Sequence, residues 1–182
     1  GLIYLTLQAP MMWDLNRINM SRSGSEARFM RREPDGSVKI LTGRTKFPTK
    51  DGYVEISLAG GPIFGSSTRS LFELMSETEE IPEEFKEKEW EEMSMATVTQ
   101  GELNSLAVVT EKYCAKQNTL AFYDEAVKRR IMLAPLSTTE QLLKNPQLNA
   151  REAFVDVQHP ELGTAITYPG PWTRFSKSPL VF

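Results

Sequence analysis

The chain has 182 residues, 40% hydrophobic and 25% charged, with a formal net charge of −3; that suffices for one buried core plus extended arms and is ordinary for a globular protein. Its acidic balance, with no interleaving of basic and aromatic residues, argues against nucleic-acid binding, and no apolar run reaches the roughly eighteen residues of a membrane span. The single cysteine, Cys114, excludes an internal disulfide and suits a reduced, cytoplasmic setting.

The first segment, "GLIYLTLQAP", begins inside an apolar pattern without an initiator methionine or the basic start of a signal peptide, so the chain reads as an excerpt from a longer one. Leu2, Leu5, Met12, Leu15 and Ile18 recur at helical spacing, with a kink or restart expected at Pro10. "SRSGSEA" then reads as a loop. From Arg28 the periodicity shortens: "ARFMRRE", "SVKILTGRTKF" and "YVEISLA" are extended runs broken by the turn signals "PDG" and "KDG". Residues 28–59 are expected to form one antiparallel sheet against the helices that follow.

Leu71, Phe72, Leu74 and Met75 make one helical stripe. Ile81, Phe85 and Trp90 make a weaker one on an acidic stretch, since residues 73–92 carry ten Glu against two Lys. Thr99 with Glu102 reads as a capping box opening a helix through Leu103, Leu106, Ala107, Tyr113 and Cys114. Leu120, Tyr123, Val127 and Ile131 mark the next helix, closed by Lys128, Arg129 and Arg130, where cations suit a C-terminus. "IMLAPL" is extended, Ser137 with Glu140 caps a short helix to Leu143, and "FVDVQ", the HPELG turn, "TAITY" and a proline-rich tail close the chain. The order is that of an α+β fold, a small antiparallel sheet packed with several helices and extended segments at both ends.

Candidate chemistry is sparse. His159 has no second histidine and no nearby cysteine, so a zinc site is excluded, and no nucleophile elbow is present for a triad. Pro160 and Gly163 mark it as a hairpin corner rather than a base. Gly60, Gly61 and Gly65 lie between a strand and a helix, but with neither dinucleotide-fold nor Walker spacing. The Gly60–Gly61 turn is left as a place where backbone amides can meet an anion or a thioester carbonyl. Ser23 and Gly24 in "SRSGSE" can present amides and hydroxyls in the same way, or serve only as a connection. Residues 1–52 carry nine Lys/Arg against five Asp/Glu, and Arg28, Arg31, Arg32, Arg44 and Lys46 can draw in the phosphates of a nucleotide-like group. The competing reading is a set of solvated strand faces. Trp13 and Asp14 read as helix packing rather than a site.

One ordered set of residues is more specific. Asp51-Gly52-Tyr53, Ala134-Pro135, Asn145-Pro146-Gln147-Leu148, Arg151, His159-Pro160 with Gly163, then Pro169-Gly170-Pro171, Arg174 and Ser176 resemble the family III CoA-transferases, also called the CaiB/BaiF family. The resemblance implies a protein near twice this length, with a Rossmann-like large domain, a small α+β domain and an interlocked homodimer. It implies transfer of CoA between an acyl-CoA and a carboxylic acid through an aspartate nucleophile, with acyl-CoA as substrate and no resident cofactor or metal. The nucleophile belongs to a motif upstream of this chain, and Asp14, Asp51, Asp124 and Asp156 do not match it, so no catalytic residue is carried over. Gly61 stands where the racemase branch places a glutamate, which favours transfer chemistry. The chain thus divides into a linker helix and loop (1–27), a small α+β domain (28–135) and a C-terminal return segment (136–182). The rival expectation is a stand-alone, non-catalytic binding or interaction domain that keeps the small-domain fold.

Overall fold

A computed structural model describes residues 26–78, 81–94, 96–171 and 177. The expected N-terminal helix, the Ser23–Gly24 loop, Trp13, Asp14, Arg174 and Ser176 lie outside the described residues. Those described fall into two compact units, divided between Leu136 and Ser137, and the fold is α+β.

The first unit opens with β1 (Glu26–Arg32) and β2 (Val38–Arg44), an antiparallel ribbon in which Met30 faces Ile40 and Arg32 faces Val38. The "PDG" turn joins them: Gly36 takes φ +85°, and the Asp35 carboxylate accepts from the Ser37 N–H and hydroxyl at 2.9 and 2.6 Å. The expected single sheet over 28–59 is corrected here. At Thr45 the chain changes partner, and β3 (Lys46–Pro48) pairs with β4 (Tyr53–Ile56) in a second sheet whose other edge is β5 (Leu133–Pro135). The switch lets Leu41 and Phe47, both fully buried, enter the core from different sheets. Periodicity reports that a run is extended, not which strand it pairs with.

Helix α1 (Gly61–Ser76) buries Leu71, Phe72, Leu74 and Met75 as expected. It starts a turn earlier than the glycine pattern suggests, so Gly65 lies inside the helix. Beyond the end of α1, the described part of the acidic stretch is helical only over α2 (Glu83–Lys86); like charges at helical spacing repel. Ile81, Phe85 and Trp90 are nevertheless buried, with Trp90 tilted against Phe72 at 4.7 Å between ring centroids. The capping box of Thr99 and Glu102 is present and opens α3 (Gln100–Cys114).

Helix α4 (Thr119–Arg129) corrects a second expectation. Thr119, Phe122 and Ala126 are buried, whereas Leu120 and Val127 are each 58% exposed. The cause is a distant anchor. Asp51 Oδ1 accepts from both the Thr119 N–H and hydroxyl at 2.7 Å, supplying the cap that Asn118 does not. That grip turns the Thr119 face inward, and Phe122 meets Tyr113 edge-on at 5.6 Å. The helix ends at Arg130 in the left-handed region, φ 58°.

In the second unit, α5 (Thr139–Leu143) is capped by Thr138 with Gln141 rather than by Ser137 with Glu140. The two pairs share the same spacing; taking Thr138 frees Glu140 to pair with Lys144 at 2.6 Å. A short α6 (Pro146–Ala150), capped by Asn145, was not expected from the pattern. The hairpin of β6 (Phe154–His159) and β7 (Thr164–Pro169) turns through HPELG, with Gly163 at φ +64°. None of the described residues of this unit is buried.

Candidate functional site

The strand-to-helix turn after β4 is built by close backbone approach. A Cβ on Gly60 would lie 2.3 Å from Met93 Cβ, and one on Gly65 would lie 2.7 Å from the Glu91 backbone. Gly61, at φ +85°, donates its N–H to the Trp90 carbonyl at 3.0 Å. The glycines therefore seat the segment 90–93 on the start of α1, and the Gly61 amide already has a partner. Gly60 has no side chain to cap the helix, and Pro62 has no N–H. The surface beside the turn is apolar, with Ile63 72%, Phe64 37% and Met132 46% exposed. The Met132 N–H donates to Ser67 Oγ at 2.7 Å, which ties β5 to the first turns of α1.

The basic residues of the ribbon are mostly committed to the fold. Arg31 bonds Glu33 at 2.8 Å and the Val98 carbonyl at 2.9 Å. Arg44 grips Glu111 through both terminal nitrogens at 2.7 and 2.9 Å. Lys46 sits 4.4 Å above the Tyr53 ring, and Arg32 reaches the Gly36 carbonyl at 3.2 Å from an exposed position. Of these four, Arg32 alone is exposed, and the Arg28 side chain lies outside those described.

The described aspartates sit in structural or surface positions. Asp51 is a helix cap, and the bonds from Thr119 hold its carboxyl below the usual carboxylate range. Asp156 accepts from Thr167 at 2.6 Å, Asp35 serves its turn, and Asp124 is exposed on α4. Burial pushes the Cys114 thiol up to about 12, which leaves no thiolate for attack at neutral pH. Both ring nitrogens of His159 face hairpin side chains: Glu161 at 2.8 Å and the Tyr168 hydroxyl at 3.1 Å. Among the described residues no group of acidic, histidine or cysteine side chains could hold a metal ion, and no helix is long and apolar enough to cross a membrane.

A cleft of about 500 Å³ lies between α1 and the segment 81–90, lined by Arg69, Glu73, Lys86, Glu87, Lys88 and Glu89 above Phe72, Phe85 and Trp90. The sequence reading missed it, because a helical stripe was expected where the chain instead turns back at Trp90. Its three cations face three carboxylates, so it offers no net charge to an anion.

Comparison with known proteins supplies what the site alone does not. The family model for CoA-transferase family III matches residues 3–182. Over 148 residues the chain is 27% identical to the Succinyl-CoA:(R)-benzylsuccinate CoA-transferase subunit BbsE of Thauera aromatica, covering 79% of this chain and 36% of that protein. It thus spans about a third of that relative's length. The crystal structure of Rv3272 from M. tuberculosis aligns with a TM-score of 0.51 and 16% identity over 76% of this chain and 35% of that one, a likeness of fold. With a match across nearly its whole length, the chain belongs to CoA-transferase family III.

Proposed function

We propose that this chain is the small-domain portion of a family III CoA-transferase. It lends one wall to the cleft in which CoA passes between an acyl-CoA and a carboxylic acid. The observation that carries the reading is the family match over residues 3–182 in a chain that covers only 36% of a curated relative. The remainder, a Rossmann-like large domain holding most of the CoA and the aspartate nucleophile, lies outside this sequence. The division into linker (1–27), small domain (28–135) and return segment (136–182) belongs to the same proposal, as do assembly into a homodimer and a cytoplasmic location. Asp51 and Asp156 are engaged by threonines within the fold, which fits a structural role for them.

The acyl thioester runs past the turn at Gly60 and Gly61, against the exposed Ile63 and Phe64 side chains, with Ser23 and Gly24 as the second backbone contact. Apolar contact, rather than an amide cradle, is the larger part of this wall, because the Gly61 N–H is occupied. A photoreactive acyl-CoA cross-linked to the chain, followed by peptide mapping, tests the reading. Labelling within residues 57–64 is expected. Labelling confined to the cleft lined by Arg69 and Lys88, or none at any salt concentration, contradicts it.

A further inference from the structure

The wall around Gly60 and Gly61 is made of uncharged chain. In a protein of which 25% is charged, residues 56–68 carry no Asp, Glu, Lys or Arg, and neither do residues 131–136. The fold joins the two stretches. Val54 lies opposite Pro135 and Ile56 opposite Leu133 in the β4–β5 ladder. Beyond it the Ser57 N–H donates to the Met132 carbonyl at 3.3 Å, and the Met132 N–H donates to Ser67 Oγ at 2.7 Å. Ile63 and Phe64 precede Ser67 on α1 by four and three residues, the spacing at which helical side chains are neighbours. Met132, Ile63 and Phe64 therefore share one exposed apolar patch beside the turn.

Polar anchorage at this patch is sparse. Of the first three positions of α1, Gly61 gives its N–H to the Trp90 carbonyl, Pro62 has none, and Ile63 keeps one. One donor suits the carbonyl oxygen of a thioester. An ionised carboxylate has two oxygens to satisfy, and setting it against apolar side chains without a cation is costly. Of the two cations bordering the stretches, Arg69 is held by Glu91. Arg130 stands at the exposed, left-handed end of α4, beyond the buried Ile131. Glu55, the remaining border residue, has a carboxylate's own sign.

We infer, on the reading of this turn as the acyl contact, that the acyl group received here is apolar, an alkyl or aryl chain, and that acyl groups ending in a free carboxylate are rejected. Ile63, Phe64 and Met132 then set the acyl specificity. The thioester carbonyl meets the first turn of α1, and the chain beyond it lies along these three side chains, where each buried methylene adds to affinity. A dicarboxylic acyl group of the same length puts its charge on the same surface.

The test is competition for photolabelling of the full 182-residue chain. A photoreactive hexanoyl-CoA that labels residues 57–64 is competed with hexanoyl-CoA, with adipoyl-CoA (the same chain length with a terminal carboxylate) and with free CoA. Hexanoyl-CoA should compete about tenfold better than adipoyl-CoA, which should do no better than free CoA. Ile63→Arg, checked by circular dichroism for retained fold, should bring adipoyl-CoA level with hexanoyl-CoA, whereas Arg130→Ala should leave their ratio unchanged. Equal competition by the two thioesters in the unaltered chain overturns the inference, and is what a patch reserved for packing against protein would give. A ratio indifferent to Ile63→Arg, or one that shifts with Arg130→Ala, overturns it as well. Failure to label residues 57–64 at all contradicts instead the reading of the turn as an acyl contact, and takes the inference with it.

Discussion

Replacing Gly65 by alanine sets two known effects against each other. In a helix interior the exchange ordinarily stabilises by about 1 kcal/mol, since glycine loses more backbone freedom. At Gly65 the new methyl would stand 2.7 Å from the Glu91 Cα, the Glu91 nitrogen and the Trp90 carbonyl oxygen. All three are backbone atoms, so no side chain can swing aside. Relief requires moving the segment that holds Trp90, itself 2% exposed. Overpacking of a tight core costs about 1–3 kcal/mol, and the upper end applies because a buried tryptophan moves with the clash. The net is a loss of about 2 kcal/mol, which at a slope of about 2 kcal/mol/M lowers the urea midpoint by about 1 M. Gly101→Ala is the control: its Cβ meets nothing nearer than Thr99 Oγ1 at 3.8 Å, so it should raise stability by up to about 1 kcal/mol. A Gly65→Ala midpoint equal to or above wild type would refute the close-approach argument.

Asp51→Asn should reduce stability at neutral pH and lose that effect in acid. The folded-state pKa of Asp51 is depressed by Thr119, so its contribution is complete above about pH 4 and fades as pH falls through the lowered value; unfolding midpoints of wild type and variant should converge below that range. Thr110→Val should stabilise by about 1 kcal/mol in thermal unfolding, because the Thr110 hydroxyl is buried with no partner among the described residues. Thr138→Ala should speed amide exchange at Gln141 through loss of a cap of about 1 kcal/mol, while Ser137→Ala should leave it unchanged.

What could be read in the residues, and what could not, follows a physical division. The Thr99–Glu102 box, the Leu71–Met75 stripe and the HPELG hairpin rest on contacts a few residues apart, and they stand where the pattern put them. The inward face of α4 depends on Asp51, 68 residues earlier, and the second sheet, which β3 joins after Thr45 by pairing with β4, is completed by β5, far along the chain. Neither leaves a local trace. The same limit governed the candidate site. Arg44 and Asp51 look free as letters, but Glu111 and Thr119 engage them across the fold. The family was legible because its motif residues retain their order, and three of them, Asp51, Asn145 and Gly163, have structural work to do here.

The most direct test of the proposed role is covalent trapping. The chain is incubated with radiolabelled acyl-CoA and a panel of carboxylic acids, then treated with hydroxylamine, which converts an aspartyl thioester or anhydride into a stable hydroxamate. Without a positioned nucleophile the effective molarity of the reaction is lost. The account predicts neither CoA transfer above the protein-free rate nor a hydroxamate on any aspartate. Transfer above that rate, or a hydroxamate on Asp14, Asp35, Asp51, Asp124 or Asp156, would place the active site inside this chain and contradict it.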